Sequence, residues 1–91
     1  MSVTIHLPTV LAPFAQGERT LAATGATVGA AVSDIGLRYP ALLPRLANAD
    51  GRPYPFVAFY LNDEDVRFLD GFNTRVKDGD EVTIVPAVAG G

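Results

Sequence analysis

Only one long stretch of this 91-residue chain repeats its apolar residues at helical spacing. Val28, Ala31, Val32, Ile35 and Tyr39 form a single stripe behind Thr27, whose side-chain oxygen can cap the first turn. Pro40 ends the run, because the residue before a proline disfavours the helical region. Gly29 and Gly36 fall inside it, and each weakens a helix interior by about 1 kcal/mol relative to Ala, so packing of the stripe on a sheet must compensate. The segment "ALLPRL" that follows is predicted to make one short further turn.

The rest of the ordered chain reads as strands. Residues 2–7 alternate, with Val3, Ile5 and Leu7 on one face and Ser2, Thr4 and His6 on the other. Pro8 ends that ladder. Residues 18–23 form a second strand with Leu21 and Ala23 inward, joined to the first by an irregular hairpin loop. Residues 56–61 form a third, and residues 81–85 a last one after the turn Asp78-Gly79-Asp80. Between them, residues 62–65 read as a tight turn and residues 66–68 as a brief pairing segment. Residues 69–77 read as irregular, tethered by Phe72 and Val76. The order is strand, strand, helix, strand, short strand, strand: an α+β domain whose single helix covers one face of a four- or five-stranded sheet.

That inventory leaves a problem. The third strand is apolar on both faces: Phe56, Ala58 and Tyr60 on one, Val57, Phe59 and Leu61 on the other. Either loop residues fold over the second face, or a partner covers it. Periodicity does not say which parity points away from the helix.

Chemistry on the side chains is sparse. There is no cysteine, which excludes a disulfide framework, a thiolate metal site and a cysteine nucleophile. The single histidine, His6, lies on a strand among polar neighbours and reads as a surface residue rather than a base. No ligand set has metal spacing, and no glycine-rich phosphate loop opens a helix. Net charge is −3, with acidic clusters at Asp63, Glu64, Asp65 and at Asp78, Asp80, Glu81, and the seven scattered Lys and Arg make no stripe for nucleic acid. The clusters read first as solvated turns and second as steering toward a basic partner. No apolar run approaches the roughly 20 residues of a membrane span, and no signal peptide is expected, so the cytoplasm is the expected location.

The remaining reactive group is the end of the sequence, Ala87-Val88-Ala89-Gly90-Gly91. Pro86 is expected to break the ladder and release residues 87–91 as a flexible tail. Extended, that tail reaches about 17 Å. Glycine lacks Cβ and lets a backbone pass close to an enzyme's nucleotide. The Gly91 carboxylate is a poor electrophile until another enzyme activates it with ATP.

The element order, "NDEDVRF" after the third strand, and "DGDEVTIVPAVAGG" resemble the ubiquitin-like sulfur-carrier family of the MoaD/ThiS type, a β-grasp fold. The likeness spans nearly the whole chain, and within the family it is strongest to the actinobacterial carriers of cysteine biosynthesis. The resemblance implies that an E1-like adenylyltransferase of the MoeB/ThiF type activates Gly91 and that sulfur then replaces oxygen to give a thiocarboxylate. It implies a pyridoxal-phosphate cysteine synthase as recipient and a JAMM-type zinc metallopeptidase that frees the product. ATP, zinc and pyridoxal phosphate then belong to the partners, and the chain itself is a monomeric carrier rather than an enzyme. The sheet face away from the helix is the expected docking face, with Phe56, Ala58, Tyr60 and Val85 as its candidates. Two other readings stay open: a protein modifier joined to lysine through Gly91, and a binding module with an inert tail. Molybdopterin, thiamin or a natural product are alternative destinations for the sulfur.

Overall fold

The computed structural model describes residues 2–47 and 57–86. Five strands, β1 (Ser2–His6), β2 (Thr20–Thr24), β3 (Val57–Leu61), β4 (Glu64–Asp65) and β5 (Glu81–Pro86), form one sheet in the order β2-β1-β5-β3-β4. β1 and β5 run parallel at its centre, and every other pair is antiparallel. One helix, α1 (Val28–Arg38), crosses one face.

The two periods meet in the core. Val3, Ile5, Leu21, Ala23, Phe59, Val82 and Ile84 are buried on the sheet, and Val28, Ala31, Val32 and Ile35 are buried on the helix. Full burial of each Val, Leu, Ile or Phe among them contributes about 1.5–3 kcal/mol relative to leaving it in water. Leu42 and Leu46, flanking the expected short turn (Leu43–Arg45), close one end of this core. Tyr39 caps the helix instead of extending it, and its N–H donates to Ile35 O at 2.8 Å. At the other end Thr27 Oγ1 accepts from Ala30 N–H at 3.1 Å, a cap worth about 1 kcal/mol.

The helix glycines have a packing reason. A Cβ on Gly36 would stand 2.7 Å from Leu43 Cδ1, and one on Gly29 would stand 3.0 Å from both Cβ and the carbonyl oxygen of Phe72. The propensity cost admits the segments that close over the helix, so the weakness expected from the sequence is offset by contact.

Three expectations about the second half of the chain are corrected. Pairing after β3 begins at Glu64, not Val66: Asn62 (φ 48°) and Asp63 (φ 76°) alone make the turn. Two positive φ values mark the two-residue hairpin turn whose twist matches its strands, and Asn and Asp tolerate that region. Val66–Phe68 is a 3-10 turn, started by Asp65, which accepts from Arg67 N–H at 2.9 Å. The stretch expected to be irregular contains another such turn, Gly71–Asn73, which carries the half-buried Phe72.

The third correction concerns Pro86, which stands in β5 as its last described residue, opposite Val57, where the last strand was expected to stop at residue 85. Thr4 N–H donates to Asp80 O, and Asn62 N–H donates to Glu81 O. By alternation, positions 81, 83 and 85 bond toward β3, and positions 80, 82, 84 and 86 face the β1 side. The β1 ladder stops at His6 opposite Thr83. The missing N–H of Pro86 therefore falls where no strand needs it.

Candidate functional site

The strand parity left open by the sequence is settled by the register. Phe59 points into the core at 1% exposure, so Ala58 and Tyr60 lie on the face away from α1. Ala58 stands opposite Val85 and Tyr60 opposite Thr83. Val85 is 40% exposed, an apolar side chain left open at the end of the central strand. Three of the four expected face residues, Ala58, Tyr60 and Val85, thus come together on one open surface. Phe56 lies outside the described residues, as do Ala87, Val88, Ala89, Gly90 and Gly91.

A row of side chains crosses this face from strand to strand: Thr20, His6, Thr83, Tyr60 and Asp65. Thr83 was not anticipated, although it shares its alternation with Val85. His6 Nε2 and Glu81 Oε1 are 2.6 Å apart on the same surface. Glu81, counted with an acidic cluster and expected to open the last strand, begins β5. The face therefore has an apolar part, at Ala58, Val85 and the Tyr60 ring, and a polar flank where His6 meets Glu81.

The acidic clusters are mostly engaged in holding turns. Asp65 Oδ2 accepts from Arg67 Nη2 at 2.6 Å and Nε at 3.0 Å, and its Oδ1 accepts from Nε at 3.2 Å and from the Arg67 backbone N–H at 2.9 Å. These bonds hold the Asp65 carboxyl below its ordinary range, and the same contact raises Arg67. Asp80 accepts from Lys77 N–H at 2.8 Å and from Asn62 Nδ2 at 3.0 Å, which lowers it as well. Asp78 Oδ1 accepts from Ser2 N–H at 2.9 Å. Both depressed carboxyls add stability that is complete above the unfolded value of about 3.9 and is lost as pH falls through the lower folded value. Asp80→Asn is therefore expected to unfold at lower urea than the wild type at pH 7, with the gap closing below about pH 4. Denaturation series at both pH values check this, and a gap that persists in acid means that Asp80 acts by shape alone.

Among the described residues, no group of three or more acidic or imidazole side chains could hold a metal ion. Among the same residues, no helix is long and apolar enough to cross a membrane. Ala58, Tyr60 and Val85 lie together on the sheet face away from α1, and the described chain ends beside them at Pro86.

The chain matches the ThiS family over residues 5–91. It belongs to that family. This ThiS-family chain is 46% identical over 93 residues to the sulfur carrier protein CysO of Mycobacterium tuberculosis, an alignment that covers 100% of both chains. It is 41% identical over 66 residues to small archaeal modifier protein 3 of Haloferax volcanii, covering 72% of this chain and 71% of that one. Among solved structures, the BexX/CysO complex of Amycolatopsis orientalis contains a chain that matches with a TM-score of 0.90 at 44% identity, covering 98% of this chain and 99% of that one. The sheet with one main helix is accordingly the ubiquitin-like β-grasp that the sequence implied.

Proposed function

We propose that this chain is a sulfur carrier of cysteine biosynthesis and that its working group is the α-carboxyl of Gly91. The full-length identity of 46% to CysO carries this reading. In the proposed sequence, ATP and the Gly91 carboxylate give an acyl-adenylate and pyrophosphate on an E1-like adenylyltransferase. A sulfur donor then displaces AMP, leaving a thiocarboxylate. The thiocarboxylate sulfur would then displace the leaving group of an activated serine held by a pyridoxal-phosphate cysteine synthase, and a JAMM-type zinc metallopeptidase would hydrolyse the link to the carrier, freeing cysteine and restoring the Gly91 carboxylate. The carrier contributes no catalytic side chain, and every cofactor sits on a partner. Intact-mass measurement of the protein isolated from its native host tests the chemistry. A fraction heavier by the difference between sulfur and oxygen, removed by alkylation and hydrolysis, is expected.

The open sheet face is the proposed docking surface. The crystallised BexX/CysO complex supports the idea that such carriers are bound as folded bodies by larger proteins. Tyr60→Asp places a charge where the apolar strip would be desolvated and is expected to weaken adenylyltransferase binding at least tenfold, a cost of about 1.4 kcal/mol or more. Its unfolding midpoint should stay near that of the wild type, because Tyr60 points out of the core. A large fall in the midpoint with binding unchanged would assign Tyr60 to stability alone.

The likeness to small archaeal modifier protein 3 favours one alternative, transfer of the activated Gly91 to a lysine amine. Both chemistries start from the same adenylate. Isopeptide-linked adducts in native-host extracts, without the sulfur mass shift, would select the modifier.

A further inference from the structure

β2 is an outer strand of the sheet, and its own sequence does nothing to protect it. Thr20-Leu21-Ala22-Ala23-Thr24 carries no charge, no proline and no bulge, the usual devices that stop an edge from pairing with another chain. Leu7 N–H donates to Arg19 O at 2.7 Å, so the alternating ladder to β1 uses positions 19, 21 and 23. The backbone groups of Thr20, Ala22 and Thr24 point outward.

Two of those outward groups are occupied from the helix. Asp34 Oδ2 accepts from Thr24 N–H at 3.0 Å, and Arg38 Nη2 donates to Ala22 O. The two side chains also touch each other, Nη2 to Oδ2 at 3.3 Å, one helical turn apart. An Asp placed four residues before an Arg is the favourable order on a helix. Neither contact extends the hydrophobic core.

We propose that Asp34 and Arg38 form a latch that keeps the β2 edge from pairing with the β2 edge of a second copy of this chain. The strand is self-complementary when reversed about Ala22. Antiparallel pairing would put Ala22 opposite Ala22 and Thr20 opposite Thr24, a favourable β-branched pair, on a continuous two-fold sheet. The latch fills the acceptor at Ala22 and the donor at Thr24 on which that pairing depends. It lies on the far side of the sheet from β3, so opening it leaves the strip at Ala58 and Tyr60 in place.

Sedimentation velocity over a concentration series tests the proposal with the double variant Asp34→Ala/Arg38→Ala. The variant is expected to self-associate at least about tenfold more tightly than the wild type. Adding Ala22→Pro, which removes an outward N–H, should return it to the wild-type profile. A double variant with the native circular dichroism spectrum that sediments like the wild type overturns the proposal. Amide exchange on the unaltered chain tests the latch without any substitution. Thr24 N–H should exchange at least about tenfold more slowly than Ala22 N–H, which has no acceptor among the described residues. Equal exchange at the two positions would mean that no latch exists.

Discussion

Phe59→Ala should lower the unfolding free energy by about 3–5 kcal/mol, the largest stability effect of any single substitution considered for this fold. Phe59 is 1% exposed, and its ring meets Phe72 edge to face, with centroids 5.0 Å apart and planes at 83°. Such a pair adds about 0.5–1.5 kcal/mol beyond the burial of the rings. The position leaves little room for collapse. β3 is pinned by β5 on one side, and Phe72 sits in a turn that also packs on Gly29. A domain of this size holds about 5–15 kcal/mol in total, so the loss takes a large share of it. Urea unfolding at neutral pH measures the change. A loss below about 1 kcal/mol would mean that the core closes over the vacancy, contrary to the close packing described above. The neighbouring Tyr60→Asp is the internal control, one residue along the strand and on the opposite face.

Those two residues also mark the limit of what the chain reveals before folding. The helix was legible because its stripe, its Thr27 cap and Pro40 agree. The strands β1, β2 and β5 were legible because their buried apolar residues alternate with polar ones such as Thr4, Thr20 and Thr83. β3 offered apolar residues at both parities, so only its register with β5 shows that Phe59 is core and Tyr60 surface. The Asn62-Asp63 turn was read too long because two positive φ values in succession are a geometric outcome that Asn and Asp permit but do not compel. Pro86 falls within β5, one residue past the expected end, for a related reason. A proline is forbidden only where its N–H would be used, and that depends on how far β1 runs alongside β5. The Asp34–Arg38 contacts were invisible because they join a helix to a strand edge. The proposed working group, Gly91, was readable only from its chemistry and from the resemblance.

Removal of Gly90 and Gly91 is expected to abolish adenylate formation by the activating enzyme while moving the unfolding free energy by no more than about 0.5 kcal/mol. The two halves of this prediction rest on separate observations. Stability should hold because the core residues on β5 are Val82 and Ile84, and the described ladder to β3 already runs as far as Pro86. Activity should vanish because the attacking oxygen on ATP is, in the proposed reaction, a main-chain carboxylate. An α-carboxylate is ionised and nucleophilic at oxygen at neutral pH. After truncation the new carboxylate belongs to Ala89, two residues short. At about 3.3–3.6 Å per residue, it is drawn back about 7 Å from the nucleotide while the body is held on the same docking face. A misplacement of even 1 Å can cost a hundredfold in rate, so a shift of this size removes turnover. ATP–pyrophosphate exchange with the activating enzyme reads the loss directly, and binding of the truncated chain to that enzyme shows that the sheet face still docks. Undiminished exchange from a chain that ends at Ala89 would move the reactive carboxyl off Gly91 and end the carrier proposal in this form.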